Sequence, residues 1–436
     1  MLQSQPIHAG HRRAAAVRHP NFAPDTPAAA IRQWPSSEVH DAPRVLFYSH
    51  DSYGLGHIRR TLSLCQTVRE RYEDASLLVL TGSSAISTLP IPKGVDWVKL
   101  PCVTKVADEE YRSKFLALGF DAIRSVRREI IFSTAQFYRP SLVLVDNVPL
   151  GLKGELRRTL EALREWDPEV RVVLTLRDVL DAPARIVNRW NNDGTYATLE
   201  RLYDHVMVYG SPDVFDVVKE YQFPDRLAAK VSYAGYIKRT PQGLVADTRA
   251  ALLRGADRLV LVTVGGGGDG APLVEQYLLG LEAAGSRGVD ANAQHLIVCG
   301  PEMPVADVER LRARHGHRRD VTIVTFAPDL VTTMAAADVV VGMGGYNTIC
   351  EVLSLRKPAV IMPRRRPRLE QWIRCTRLAE MGLIRVVDPD DDPATALVRE
   401  VRAALGSARP PRAFETMNGL TSFDALLPRL LGGARS

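Results

Sequence analysis

Short runs of aliphatic and β-branched residues recur along the chain, separated by longer stretches whose apolar positions fall at helical spacing. The runs at 45–49, 77–81, 142–146, 170–176 and 205–209 form one series, and those at 259–264, 295–299, 321–325, 338–341 and 359–362 form a second. Regular switching between the two periods is the signature of a parallel sheet covered by helices. Between the series lies 235–257, with Thr240-Pro241-Gln242-Gly243 as its turn-like centre. The pattern therefore predicts two doubly wound α/β domains, at 43–240 and 258–410, joined by a linker at 241–257 and followed by a helical tail at 411–436. Ligands of such sheets sit beyond the carboxyl ends of the strands, so two facing domains make a two-substrate cleft.

One stretch departs from this alternation. From Tyr111 to Arg139, Leu116, Phe120, Ile123, Val126, Ile130 and Phe137 recur at helical spacing, with Arg112, Lys114, Arg124, Arg127 and Arg128 elsewhere. The pattern reads as a core-facing helix with a solvated basic face. The same stretch would serve as a peripheral membrane surface if the acceptor were a lipid carrier.

Composition narrows the class. At 436 residues and 46% hydrophobic content the chain exceeds what one core holds and is rich enough to fill two. The five cysteines (Cys65, Cys102, Cys299, Cys350 and Cys375) are scattered, which argues for a reducing cytoplasm and against a disulfide framework or structural zinc. No apolar run approaches the roughly 18 residues of a spanning helix, and residues 1–42, rich in Ala, Pro, Arg and His, read as a disordered extension without a signal-peptide core. A net charge of +6 suits an anionic substrate or an anionic membrane surface. It comes with no basic stripe interleaved with aromatics, which argues against nucleic acid as a partner.

The candidate chemistry concentrates where the second series turns from strand to helix. After Val339, Val340 and Val341 come Gly344 and Gly345, then a helix carrying Asn347, Thr348 and Glu351 in its first turns. Glycines before a helix let backbone N–H groups approach an anion, and the helix N-terminus adds partial positive charge. Glu351 follows at the distance where a carboxylate accepts hydrogen bonds from vicinal ribose hydroxyls, so the residue types suit a nucleotide diphosphate. Both domains also open on a glycine-rich turn after their first strand: Gly54-Leu55-Gly56-His57 in the first, and Gly265-Gly266-Gly267-Gly268-Asp269-Gly270 in the second. Neither has Gly-x-Gly-x-x-Gly in register with an acidic residue after the next strand, so hydride transfer on a dinucleotide is a poor reading.

With these three loops in hand, the chain resembles the GT-B glycosyltransferases, and in particular the branch related to the MurG N-acetylglucosaminyltransferase (glycosyltransferase family 28 C-terminal type). The opening Tyr48-Ser49-His50-Asp51, followed by Gly54-Leu55-Gly56-His57 and Arg60, is similar to that of a bacterial "predicted glycosyl transferase" group. The resemblance runs from Arg44 to about Pro389 and is most specific from Val321 to Leu383. It implies two Rossmann-like domains facing across a cleft, with the nucleotide-sugar donor on the second and the acceptor on the first.

Residue by residue, the resemblance assigns Glu351 to the donor ribose, with Gly344 and Gly345 in the loop before it. Thr325-Phe326-Ala327 matches the stretch whose backbone reads the uracil edge. Glu370-Gln371 stands where paired glutamines contact the donor sugar, and the glutamate leaves that sugar open. Arg239 lines up with an arginine on the pyrophosphate, and a loop serine appears here as Gly268, beside Gly267. His57 matches a histidine at the acceptor side of the cleft, in the loop of Gly54 and Gly56.

Elementary chemistry points the same way. Inverting sugar transfer needs a base titrating near neutrality and a stabiliser for the departing nucleoside diphosphate. His57 supplies the first, with Asp51 and Asp146 as rivals at or beyond strand ends, or else it serves as a turn histidine donating to phosphate. A helix N-terminus with Arg239 supplies the second, so neither a metal nor a cofactor is called for. Arg239 reads equally as a surface ion-pair residue, and Arg364-Arg365-Arg366 either as a solvated run or as a phosphate or acidic-acceptor contact. Arg177-Asp178 ends another strand, where a salt bridge closing the domain accounts for it as well.

The sequence thus predicts an inverting, metal-independent transferase acting from a nucleotide-diphosphate sugar, most plausibly a UDP-hexosamine, onto a small-molecule or lipid-linked acceptor. Two alternatives stand beside it: a nucleotide-sugar hydrolase of the same architecture, and a non-catalytic nucleotide-sugar-binding protein. The expected location is cytoplasmic, or peripheral at the inner face of the membrane.

Overall fold

A computed structural model of the chain describes residues 42–50, 56–107, 110–285, 289, 292–407 and 411–432. Most of the N-terminal extension (1–41), and Asp51 and Gly54 of the first loop, lie outside the described residues.

Each series of apolar runs forms one parallel sheet. The first is built from β1 (Arg44–Ser49), β2 (Ser76–Thr81), β3 (Val95–Lys99), then, past a separate antiparallel hairpin of β4 (Val103–Ala107) and β5 (Glu110–Ser113), β6 (Leu142–Asp146), β7 (Arg171–Arg177), β8 (His205–Tyr209) and β9 (Val231–Tyr233). Its order is β3-β2-β1-β6-β7-β8-β9. The second contains β10 (Arg258–Thr263), β11 (Ala293–Val298), β12 (Val321–Val324), β13 (Val339–Gly342), β14 (Ala359–Ile361) and β15 (Arg385–Val386), in the order β12-β11-β10-β13-β14-β15. The central strands are apolar throughout because helices cover both faces: β6 is buried at all five positions and β10 at all but its first.

In each sheet the first strand lies between the second and a later one, so the order reverses direction beside it. That reversal opens a crevice at the carboxyl ends of β1 and β6 in the first domain and of β10 and β13 in the second. The loops after β10 and β13 lead into the second of these crevices, and the helix that follows β1, Gly56–Arg71, starts at the first.

The link between the domains differs from the expected pattern. Within 241–257, helix Val245–Leu253 packs on helix Leu330–Ala336 and on β10 and β11, so most of that segment is part of the second domain. Helix Gly419–Leu431, in the tail, packs on α1 (Gly56–Arg71) of the first domain, and Asp424 pairs there with Arg71. The chain thus crosses between domains twice, at Tyr236 and again near Met417, where Tyr236 donates its N–H to Thr416 and Gly419 donates to Tyr236. One buried cluster runs through this joint, including Tyr236, Ile237, Tyr346 and Phe423.

The 111–139 stretch also corrects its reading. The helix α2 starts only at Phe120 (Phe120–Tyr138), and the stripe it buries is Ile123, Arg127, Ile131 and Ala135, at a spacing of four. Arg127 therefore leaves the solvated face and makes a bidentate pair with buried Glu155 at 2.6 and 2.7 Å, while Glu155 also accepts from Tyr48. Val126 and Phe137 face solvent instead, at 43% and 70% exposure. Phe115, Leu116 and Leu118, between β5 and α2, are exposed as well, beside Arg112 and Lys114. No helix among the described residues is long and apolar enough to cross a membrane.

Candidate active site

His57 is the second residue of α1, entering the crevice after β1, and Asp146 is the last residue of β6, the strand hydrogen-bonded to β1. Sheet order alone brings together two groups 89 positions apart. The His57 Nδ1–H donates to Asp146 Oδ2, and Arg60, one turn along α1, donates to Oδ1. His57 Nε2 accepts from the Arg177 guanidinium at 2.8 Å, which fixes the tautomer with its proton on Nδ1. Arg60 and Asp146 are buried, at 1% and 4% exposure, and Arg177 is partly exposed.

Burial raises the cost of every charge here, and the pairing decides which survive. Burial favours a protonated Asp146, but Arg60 and His57 outweigh it and hold the carboxyl well below the usual range. His57 is pushed down to about 4, first by burial and then by the Arg177 charge, against the opposing pull of Asp146. The cluster at rest is therefore a neutral imidazole on an ionised carboxylate. Asp146 has both carboxylate oxygens engaged, one by His57 and one by Arg60.

Facing this cluster is helix Tyr346–Leu355, which begins at Gly345 with no side chain capping its first turn. Its free N–H groups and dipole point into the crevice after β13. Gly344 is required by packing: a Cβ there would collide with Cys375 Sγ and lie 3.2 Å from the Gln371 Cβ. Gly345 has φ −62° and nothing within 4 Å of an added Cβ, so it leaves open space and carries no left-handed turn. In the loop after β10, Gly267 has φ +96° and its added Cβ would strike the Cys299 carbonyl, whereas Gly268 does not have a positive φ. Helix Ala271–Ala284 also begins at a glycine, Gly270, without a side-chain cap.

Glu351 is 7% exposed and makes no hydrogen bond to any described residue. Burial raises its carboxyl to about 7, although Arg239 and Arg59 pull it down. Arg239 itself donates its backbone N–H to Ser354 at 2.9 Å and its guanidinium to Ser63 of α1 at 3.2 Å. Ser354 lies in the last turn of Tyr346–Leu355, so the Arg239 backbone sits at the C-terminal end of that helix. Arg239 is near enough to Glu351 for its charge to lower that carboxyl's pKa.

The remaining candidates lie around the same crevice. Thr348 is buried, and Asn347 reaches toward α1, its Nδ2 lying 2.8 Å from where a Cβ on Gly56 would be. Phe326, half exposed, follows β12, with Ala327 partly buried against the core beside it. Gln371 is buried and accepts from the Arg364 N–H at 3.3 Å. Glu370 is held by Arg364, which also donates to Asp269 of the second glycine loop at 2.8 Å. Arg365 pairs with Asp388 and Asp390 and stacks 3.7 Å over Trp372. The basic run is thus largely engaged in ion pairs.

Two further arginines of the site carry little signal in the sequence. Arg60 stood within the quoted Gly-x-Gly-His-x-x-Arg opening, and its spacing of three from His57 on a helix was the available signal. Arg374 lies on helix Glu370–Glu380 and forms a bidentate pair with Asp178, at 2.7 Å on both oxygens, while donating to the Gly344 carbonyl at 2.9 Å. Tyr236 adds a third bond to Asp178 at 2.6 Å. The salt bridge anticipated for Asp178 therefore closes the two domains on each other.

With this geometry in place, three comparisons bear on the chain. Residues 259–415 match the Glycosyltransferase family 28 C-terminal domain. The UDP-N-acetylglucosamine--N-acetylmuramyl-(pentapeptide) pyrophosphoryl-undecaprenol N-acetylglucosamine transferase of Yersinia pseudotuberculosis is 28% identical over 148 residues, 34% of this chain and 40% of that protein. The chain spans well under half the length of the curated relatives it matches, 28% and 40% for two of them. Among solved structures, Acinetobacter baumannii MurG superposes with a TM-score of 0.54 at 14% identity, covering 89% of this chain and 99% of that one. Arabidopsis thaliana UGT89C1 complexed with UDP gives 0.58 at 14% identity, over 89% of this chain and 100% of that one. The architecture is that of the GT-B glycosyltransferases, two Rossmann-like sheets facing across a cleft, and the chain resembles the MurG-like branch.

Proposed function

We propose that the protein is an inverting glycosyltransferase that moves a sugar from a nucleotide-diphosphate donor, UDP-linked, to an acceptor hydroxyl, without a metal. The observation that carries this reading is the His57–Asp146 pair at one switch point, facing the uncapped N-terminus of Tyr346–Leu355 at the other. In this mechanism His57 Nε2 takes the acceptor proton as the oxygen attacks the anomeric carbon. Asp146 holds the imidazole in the required tautomer and stabilises the imidazolium that forms, and Arg60 keeps Asp146 ionised. The bond from the anomeric carbon to the diphosphate breaks on the opposite face. Its charge is received by the N–H groups and dipole of Tyr346–Leu355.

Glu351 is the proposed ribose contact, Phe326 and Ala327 the base contacts, and Glu370 with Gln371 the sugar contacts. A hexosamine donor is favoured by the Yersinia relative, whose name carries UDP-N-acetylglucosamine. The same name carries a pyrophosphoryl-undecaprenol acceptor, and the exposed Phe115, Leu116 and Leu118 beside Arg112 and Lys114 suit a lipid-linked acceptor met at the inner face of a membrane. The hydrolase alternative draws no support from these likenesses. The test is product analysis by mass spectrometry after incubating the protein with UDP-sugars and a bacterial lipid extract. Appearance of a glycosylated product is expected. Free sugar and nucleotide alone, at an unchanged rate without extract, would overturn transfer in favour of hydrolysis.

A further inference from the structure

The charges at the domain joint do not balance pairwise. Asp146 gives its two oxygens to His57 and Arg60, and Asp178 gives both of its own to Arg374, with Tyr236 on one of them. Arg177, between these two pairs at the end of β7, has neither carboxylate. Its hydrogen bond is to a neutral imidazole nitrogen, and its Nε is buried with no acceptor. A partly buried guanidinium with its Nε shut off from water and without a carboxylate is costly, and such a site is completed by an anion.

The position of the guanidinium says which anion. A Cβ on Gly56 would lie 3.5 Å from Arg177 Nη2 and 2.8 Å from Asn347 Nδ2. Arg177 and the first turn of Tyr346–Leu355 therefore approach the same point at the head of α1. That point lies between the candidate base and the helix terminus assigned to the diphosphate. The acceptor proton, meanwhile, has no place to go while Arg177 occupies the Nε2 lone pair.

We propose that Arg177 is a positioning residue that caps His57 in the donor-free protein and moves onto the donor diphosphate when it binds, uncovering Nε2. This rests on the glycosyltransferase reading above. Among the described residues, the other groups facing the His57 ring are Asp146 from β6, Arg60 from α1 and His50 beyond β1, whose ring centroid is 5.9 Å away. Arg60 is paired with Asp146 through Nη2, although its Nε and Nη1 are buried without an acceptor, so Arg177 is the cation on the ring that has no carboxylate and the one whose departure changes the basicity of His57. Glu370, whose Oε2 is buried without a partner, acts on Arg177 from the donor side.

The test uses the full chain, with histidine nitrogens observed by NMR and assigned through His57→Gln, during titration with uridine, guanosine and deoxythymidine diphosphates. Binding is expected to shift the His57 Nε2 resonance as the arginine leaves and to raise its apparent pKa by roughly one unit or more. In Arg177→Met the imidazole should titrate higher before any ligand is added. Diphosphate affinity should fall about 10–100-fold, with Arg177→Lys between the two. A wild-type protein that binds a diphosphate with no change at His57 overturns the inference and leaves the transferase reading standing, as does full affinity in a folded Arg177→Met. If no diphosphate binds the wild-type protein, both fall. Because the wild-type titration needs no variant, poor folding of Arg177→Met does not protect the proposal.

Discussion

Both domains put their chemistry at the same topological place, the crevice where strand order reverses, but they furnish it differently. The first fills its crevice with side chains: His57 after β1, Asp146 at the end of β6, Arg177 at the end of β7, each bonded to another. The second leaves its crevice to backbone, with glycines at 265–268 and 344–345 and helices whose first turns carry no side-chain cap. Proton transfer needs a titrating atom held in one orientation, whereas a diphosphate needs several N–H donors within reach and little else. The contrast separates what each domain contributes and locates the sensitive point where they meet.

That meeting point should give the largest stability effect. Arg374 is 1% exposed and Asp178 0%. Replacing Arg374 by Ala strands a buried carboxylate and removes the bond to Gly344, at a cost of about 3–5 kcal/mol. Urea unfolding followed by tryptophan fluorescence should show the loss, and a cost under about 1 kcal/mol would mean the domains are held by their apolar joint alone.

Within the second domain, Gly344 and Gly345 should behave oppositely. Gly344→Ala drives a methyl into Cys375 and against Gln371, costing about 1–3 kcal/mol of stability. Gly345→Ala meets no atom within 4 Å at an ordinary φ of −62°, so its thermal midpoint should hardly move. If it approaches the diphosphate as proposed, its effect should appear in donor affinity. Equal thermal losses in the two variants would show that the loop is only a turn.

A smaller effect, close to a factor of ten, belongs to Glu351. Its carboxyl is raised to about 7 by burial, so the ionised fraction grows through neutrality. Ribose hydroxyls donate to the ionised form, and binding should therefore tighten roughly tenfold between about pH 6 and pH 8. A UDP-sugar is the appropriate ligand because its diphosphate is esterified at both ends and does not titrate in that window. Calorimetry should show the trend in the wild-type chain and its loss in Glu351→Gln. A trend of opposite sign would remove Glu351 from the ribose.

Much of this was legible in the residues alone. All ten anticipated apolar runs became strands, because strands buried on both faces are apolar throughout and stand out against helical spacing. The edge strands β3, β9 and β15 and the β4–β5 hairpin carry no such run. The placement of α2 was misread because a few exposed apolar residues at helical spacing imitate a buried stripe, while the stripe truly buried contains Arg127. His57 and Asp146 were both visible as candidates. Their union depended on β6 lying beside β1, a fact of sheet order that no local pattern carries. Arg374 had no local signal, since its meaning comes from Asp178 on the other domain.

The central claim is that His57, oriented by Asp146, is the base of a sugar transfer whose donor is bound by the opposite domain. The most direct test is to measure turnover and UDP-sugar affinity together in His57→Gln. Turnover should fall by roughly 10²–10⁴-fold while donor affinity stays within about threefold, because a general base acts only in the transition state. A folded variant that transfers sugar at a near-normal rate, or one whose loss lies in donor affinity, would contradict the account.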